Sequence, residues 1–125
     1  MNNKQGYIYI ITNKYNSVLY IGVTSNLPKR IWEHRNKVVE GFTKDYNLTK
    51  LVYYEISETI TTAIKREKYL KGKTRKYKQE LIKNFNPEWN DLYEQILWYN
   101  INVILSEAKD RKNKHINYKI LRFFG

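Results

Sequence analysis

The sequence predicts an α+β domain: a small three-stranded antiparallel sheet flanked by helices, with an extra C-terminal helical segment. Three observations carry this. Two strand-like runs, GYIYIIT at 6–12 and VLYIGV at 18–23, are separated by a short polar cluster rich in asparagine. A third strand-like run, KLVYYEI at 50–56, returns after a helical stretch. Helix-spaced apolar residues with capping residues at their starts follow the second and third runs.

The elements follow in order. Asn13 to Ser17 is turn chemistry, so the first two strands form a hairpin. Thr24, Ser25 and Asn26 are residue types that accept helix N-terminal N–H bonds, and Pro28 fits the first turn of a helix. A helix over about 27–39 then carries Leu27, Ile31 and Val38 on one stripe, and Gly41 ends it. Thr43 to Asn47 reads as loop. Ser57, Glu58 and Thr59 prepare a second helix over about 61–71, which Gly72 breaks, and a third spans about 75–83. Asn86-Pro87 is a turn, because the residue before proline is pushed out of helical geometry. The composition then changes. Residues 91–105 are rich in Leu, Ile and Tyr, with Trp98, and read as one more helix; the basic tail beyond them, with Asn113, His115 and Asn117, is left unassigned. The expected division is a domain over 1–90 and a helical extension with its tail over 91–125.

The chain has 125 residues and no cysteine, which excludes disulfides and thiolate metal sites. The start of the chain lacks the apolar run of a signal peptide, and no stretch reaches membrane-spanning length. The expectation is therefore a cytoplasmic protein with no membrane partner. The formal net charge is +11, and it is unevenly placed. Residues 65–83 carry nine Lys/Arg and two acids, whereas residues 84–106 carry no Lys/Arg and three acids. A basic block beside aromatic residues is the footprint of a nucleic-acid binder; the bland reading is a solvated helix face.

The residues able to do chemistry are few. Tyr7 and Tyr20 lie on paired strands, where they meet on one face or simply pack. Arg30 offers a planar fork for phosphate, and His34, one turn on, shares its side of the helix and can relay a proton near neutral pH; both also read as ordinary surface side chains. Glu67 is an acid within TAIKREKYLKGKTRKYK. It is either half of an i,i+4 pair with Lys71 or the one carboxylate that holds Mg²⁺. Asn86 either touches phosphate, orients Glu67, or only makes the turn. Lys29, Lys65, Lys68, Lys71, Lys73, Arg75, Lys76 and Lys78 form a candidate surface for a nucleic-acid backbone.

Taken in order, Gly6-Tyr7-Ile8, Tyr20-Ile21-Gly22, Arg30, His34 and then Glu67 resemble the GIY-YIG nuclease family over about residues 6–90. The likeness is to small stand-alone bacterial members related to the endonuclease end of the excision-repair incision subunit. It implies metal-dependent hydrolysis of a phosphodiester, with DNA the expected substrate. By that resemblance Glu67 is the single acidic ligand of Mg²⁺ or Mn²⁺. Arg30 binds the scissile phosphate, Tyr20 helps activate water and Tyr7 sits beside it. His34 matches a position held by histidine or tyrosine, and Asn86 closes the site. The competing readings are a non-catalytic nucleic-acid-binding module on the same scaffold, and an interaction module that forms a homodimer through the C-terminal segment.

Overall fold

The computed structural model describes residues 4–111, and their side chains over 4–106. Strands β1 (Gly6–Thr12), β2 (Leu19–Thr24) and β3 (Lys50–Ser57) form one antiparallel sheet in the order β2-β1-β3. Helices α1 (Leu27–Arg35) and α2 (Phe42–Asp45) lie between β2 and β3 in the chain, and α3 (Ile60–Lys71) and α4 (Arg75–Phe85) follow β3.

Alternation along the strands sorts the side chains into two faces. On one, Ile8, Ile10 and Ile21, with Val52 and Tyr53, pack with Ala63 and Leu70 of α3 and Ile82 of α4. Here β1 and α3 come very close. A Cβ on Gly6 would lie 2.5 Å from the Ala63 Cβ, so both positions need small residues. Helix α3 is also pinned to β3 by Arg66, whose Nε and Nη2 donate to the Glu55 carboxylate at 3.0 and 2.9 Å. Tyr53 donates to that same carboxylate. Burial pushes the Glu55 carboxyl upward, but the bonds from Arg66 and Tyr53 outweigh it and hold it below its usual range. The other face of the sheet carries Tyr9, Ile11, Tyr20 and Gly22 and meets α1 through His34.

The expected sheet and the expected second and third helices, which are α3 and α4, stand close to where the sequence puts them. Helix α1 differs. It stops at Arg35, four residues short of the expected end. Lys37 takes a left-handed backbone (φ 55°), while Lys37 N–H and Val38 N–H donate to the carbonyls of His34 and Glu33. Those bonds close the helix before glycine is needed. Val38 is consequently 56% exposed, and His34 takes the third buried place on the stripe beside Leu27 and Ile31. Gly41 (φ 102°) instead precedes α2, in the stretch expected to be loop.

The chain divides into two compact units after Tyr93. Helix α5 (Tyr93–Arg111) runs from this boundary into the second unit, without proline or glycine, in agreement with a helical segment there. The expectations for the tail, with His115 and part of the dimer surface, fall outside the described residues. No helix among the described residues is long and apolar enough to cross a membrane.

Candidate active site

The site grows from the hairpin. Its register sets Tyr9 opposite Gly22 and Ile11 opposite Tyr20, so Tyr9 and Tyr20 are diagonal neighbours on one face. Gly22 is small for a reason: a Cβ there would lie 2.3 Å from both Cζ and the hydroxyl of Tyr9. The Tyr9 ring lies across the glycine and reaches α1. Its hydroxyl is 2.9 Å from His34 Nε2, and both side chains are buried. His34 Nδ1 lies 3.2 Å from Thr43 Oγ1, which makes a buried chain Tyr9–His34–Thr43 across three elements. The Tyr20 ring stands edge-on to His34 with centroids 6.1 Å apart.

Helix α1 starts cleanly at this point because Asn26 Oδ1 accepts from Lys29 N–H at 3.2 Å. Arg30 is then one turn before His34 and 3.7 Å from Glu33. On α3, the Glu67 carboxylate is 13% exposed and lies 3.4 Å from Lys71 Nζ. The same ammonium is 5.9 Å from the Tyr20 ring centroid, which brings the acid of α3 to the tyrosine of β2.

Electrostatics place these groups in one region. Burial holds the Tyr9 phenol well above its usual range; Tyr20 raises it further, Arg30 opposes the rise, and Glu67 and Glu33 add to it. His34 is lowered to about 4, first by burial and then by Arg30, with Glu33 opposing. At neutral pH the imidazole is therefore uncharged and the Tyr9 phenol keeps its proton. This corrects the expectation that His34 titrates near neutrality. It still has one N–H and one lone pair, so it exchanges hydrogen bonds with Tyr9 and Thr43 as a neutral ring.

The structure thus brings Tyr20, Arg30, His34 and Glu67 together, and adds Tyr9. Tyr7 is placed differently. It pairs with Thr24, and its hydroxyl contacts Gln5 at 3.4 Å. Hairpin register is the signal that distinguishes the two tyrosines, because it sets Tyr9 opposite the glycine of the YIG triplet. Asn86 is 5% exposed and occupied elsewhere. Its Nδ2 donates to the carbonyls of Val52 and Asn90 at 3.1 and 2.8 Å, and its Oδ1 accepts from Asn90 N–H. It fastens the end of α4 to β3 and holds the turn, the structural role that Asn-Pro chemistry alone gives it.

Within the basic block, Lys73 stands 4.5 Å from the Tyr69 ring centroid, and Arg75 donates to the carbonyl of Asn16 at 3.1 Å. Lys29, Lys65, Lys68, Lys71 and Lys76 are exposed, and Lys78 is half-buried. No group of three or more His, Asp or Glu among the described residues could hold a metal ion. The carboxylate of this cluster that could take a metal ion is Glu67, which is paired with Lys71. One carboxylate suits a hard divalent cation which keeps most of its shell as water and phosphate oxygen.

The description GIY-YIG catalytic domain matches residues 5–81, a span that holds every member of this cluster. The chain belongs to the GIY-YIG family. Proteins similar to this chain include small ones and long ones. A UPF0213 protein of Clostridium perfringens is 43% identical over 76 residues, covering 61% of this chain and 81% of that protein. One from Syntrophus aciditrophicus is 36% identical over 85 residues, covering 67% and 95%. UvrABC system protein C of Mycoplasma capricolum is 30% identical over 129 residues, which takes in all of this chain and 20% of that protein. No solved structure matched. A nuclease family implies a nucleic-acid substrate, in keeping with the charge of the chain.

Proposed function

We propose that this protein is a divalent-metal-dependent endonuclease that hydrolyses phosphodiester bonds of DNA. The observation that carries the reading is the convergence of Tyr20, Tyr9–His34, Arg30 and Glu67 at one edge of the sheet. The likeness to UvrABC system protein C favours DNA over RNA.

Each side chain has a task suited to its surroundings. Arg30 binds the scissile phosphate through its non-bridging oxygens, which its planar fork matches. It adds positive charge where negative charge grows in the transition state. Glu67 would hold Mg²⁺ or Mn²⁺, which supplies a Lewis acid on the phosphate and a more acidic water. Tyr20 lies nearest the open side, against Lys71, and acts as the base or orienting group for the attacking water. Burial disfavours the phenolate form of Tyr9. Tyr9 serves as a fixed hydroxyl, held by the neutral His34. The exposed lysines of α3 and α4 bind neighbouring phosphates in a salt-sensitive way.

The test is a strand-cleavage assay on single-stranded, duplex and branched DNA and on RNA, each with Mg²⁺, Mn²⁺ or EDTA. Cutting that needs the metal is the expected result. Salt-sensitive binding with no cutting of any substrate would make the protein a binding module on this scaffold.

A further inference from the structure

We infer that the site continues into a stacking track for unpaired bases of the substrate, formed by Phe42 and Tyr46 and ending in a cavity beside Lys14. This rests on the nucleic-acid reading above and narrows the substrate to strands with unpaired nucleotides next to the cut.

The track begins at Tyr20. The Phe42 ring lies nearly parallel to it, with centroids 6.4 Å apart and planes at 29°. The Tyr46 ring is 4.6 Å beyond Phe42. Phe42 and Tyr46 are 48% and 53% exposed, so two rings leave the site along the surface with their apolar area still in water. Contact within this i,i+4 pair, with planes tilted at 38°, covers part of each ring and leaves about half of each residue exposed. Past Tyr46 lies a cavity of about 310 Å³, lined by Tyr46 and Asn47 on one side and by Asn13, Lys14 and Tyr15 of the hairpin turn on another. A single nucleotide fits such a volume. The lining matches one: two phenol rings for a base, amides for its polar edge and an ammonium for its phosphate.

Charge selects the occupant. Lys14 is exposed and stands 5.0 Å from its neighbour's ring, Tyr15, itself 73% exposed. Exposed aromatic rings in series beside a cation, on a chain of net charge +11, are what a flexible polyanion with flat bases recognises. A paired base cannot turn its face to these rings, so only an unpaired stretch can use them.

The test measures binding of the full chain in EDTA, where cutting is stopped, by anisotropy of labelled probes. The probes are a short oligothymidine, the same backbone with abasic sites in place of the bases, and a duplex. Wild type is expected to bind oligothymidine more tightly than the abasic strand, by between about 5- and 150-fold for each stacked base. Phe42→Leu with Tyr46→Leu keeps apolar bulk, removes two of the aromatic faces, and should cut that preference at least about fivefold while changing duplex affinity less than about twofold. Phe42→Trp should preserve it. Lys14→Gln should weaken both single strands alike. Equal losses on all three probes, no preference in wild type, or no change in the double variant would overturn the inference. So would a self-association that the double variant loses while its nucleic-acid binding stays intact, since the rings would then face a second copy. A failed cleavage assay beside ring-dependent binding of oligothymidine would instead refute the nuclease reading and leave the track standing.

Discussion

The hydrogen bond between Tyr9 and His34 gives two buried polar groups a partner in each other. Replacing Tyr9 by Phe removes the partner of a buried ring nitrogen, which costs about 1–3 kcal/mol of stability. It also removes the fixed hydroxyl, and the cleavage rate should fall by about 10²-fold, whereas Tyr7→Phe should leave it within about twofold. Equal effects of the two substitutions would contradict the placement of Tyr9 in the site. His34 makes a second, independent prediction. An unfolded histidine titrates near 6.5, and in this fold His34 is lowered to about 4. Between those values the unfolded chain binds a proton that the folded chain refuses. Stability should therefore fall as pH drops from about 6.5 to about 4, by up to about 3 kcal/mol, and this group should add nothing further below that. Denaturant unfolding of wild type and His34→Gln across this range checks it. The advantage of wild type should shrink on acidification, and a pH-independent difference would contradict the buried neutral imidazole. Sequence alone identified His34 as a candidate but not its protonation, because burial depends on where α1 ends.

At the scale of elements, the hairpin decides the site. Six consecutive pairs, from Tyr7 with Thr24 to Thr12 with Leu19, leave no freedom in which side chains are opposed. Gly22→Ala places a methyl group where the Tyr9 ring lies. The ring must leave, the bond to His34 is lost, and cleavage should drop at least tenfold with the circular dichroism of the sheet unchanged. Full activity in this variant would mean that the ring position is unimportant. The strands were legible because β-branched and aromatic runs bounded by asparagine and glycine say little else. Helix α2 was not legible: its four residues are too short to show a period. The end of α1 was missed for a local reason, since Lys37 adopts a left-handed conformation usually left to glycine or asparagine. Those two misreadings hid Thr43, the partner of His34 Nδ1.

Over the whole molecule, the sequence revealed the kinds of side chain in the site better than their neighbours. Glu67 stood out as an acid in a basic block, and Arg30 and His34 followed from helical spacing. Their meeting with Tyr20 depends on long-range packing: α1 on one side of the sheet, and α3 carrying Glu67 and Lys71 to the edge strand β2. The GYI triplet points to Tyr7, whereas the hairpin register sets Tyr9 opposite Gly22. Asn86 looked functional because turn chemistry and site chemistry use the same residue type, and only its three bonds to backbone separate them. The proposed function turns on Glu67 and Arg30 both acting on the phosphodiester. The most direct measurement is single-turnover cleavage of labelled DNA in Mg²⁺ by wild type, Glu67→Ala and Arg30→Ala, with binding measured in parallel. The expected result is a loss of at least about 10²-fold in rate for each variant with binding retained. Metal-dependent cutting that survives Glu67→Ala would contradict it.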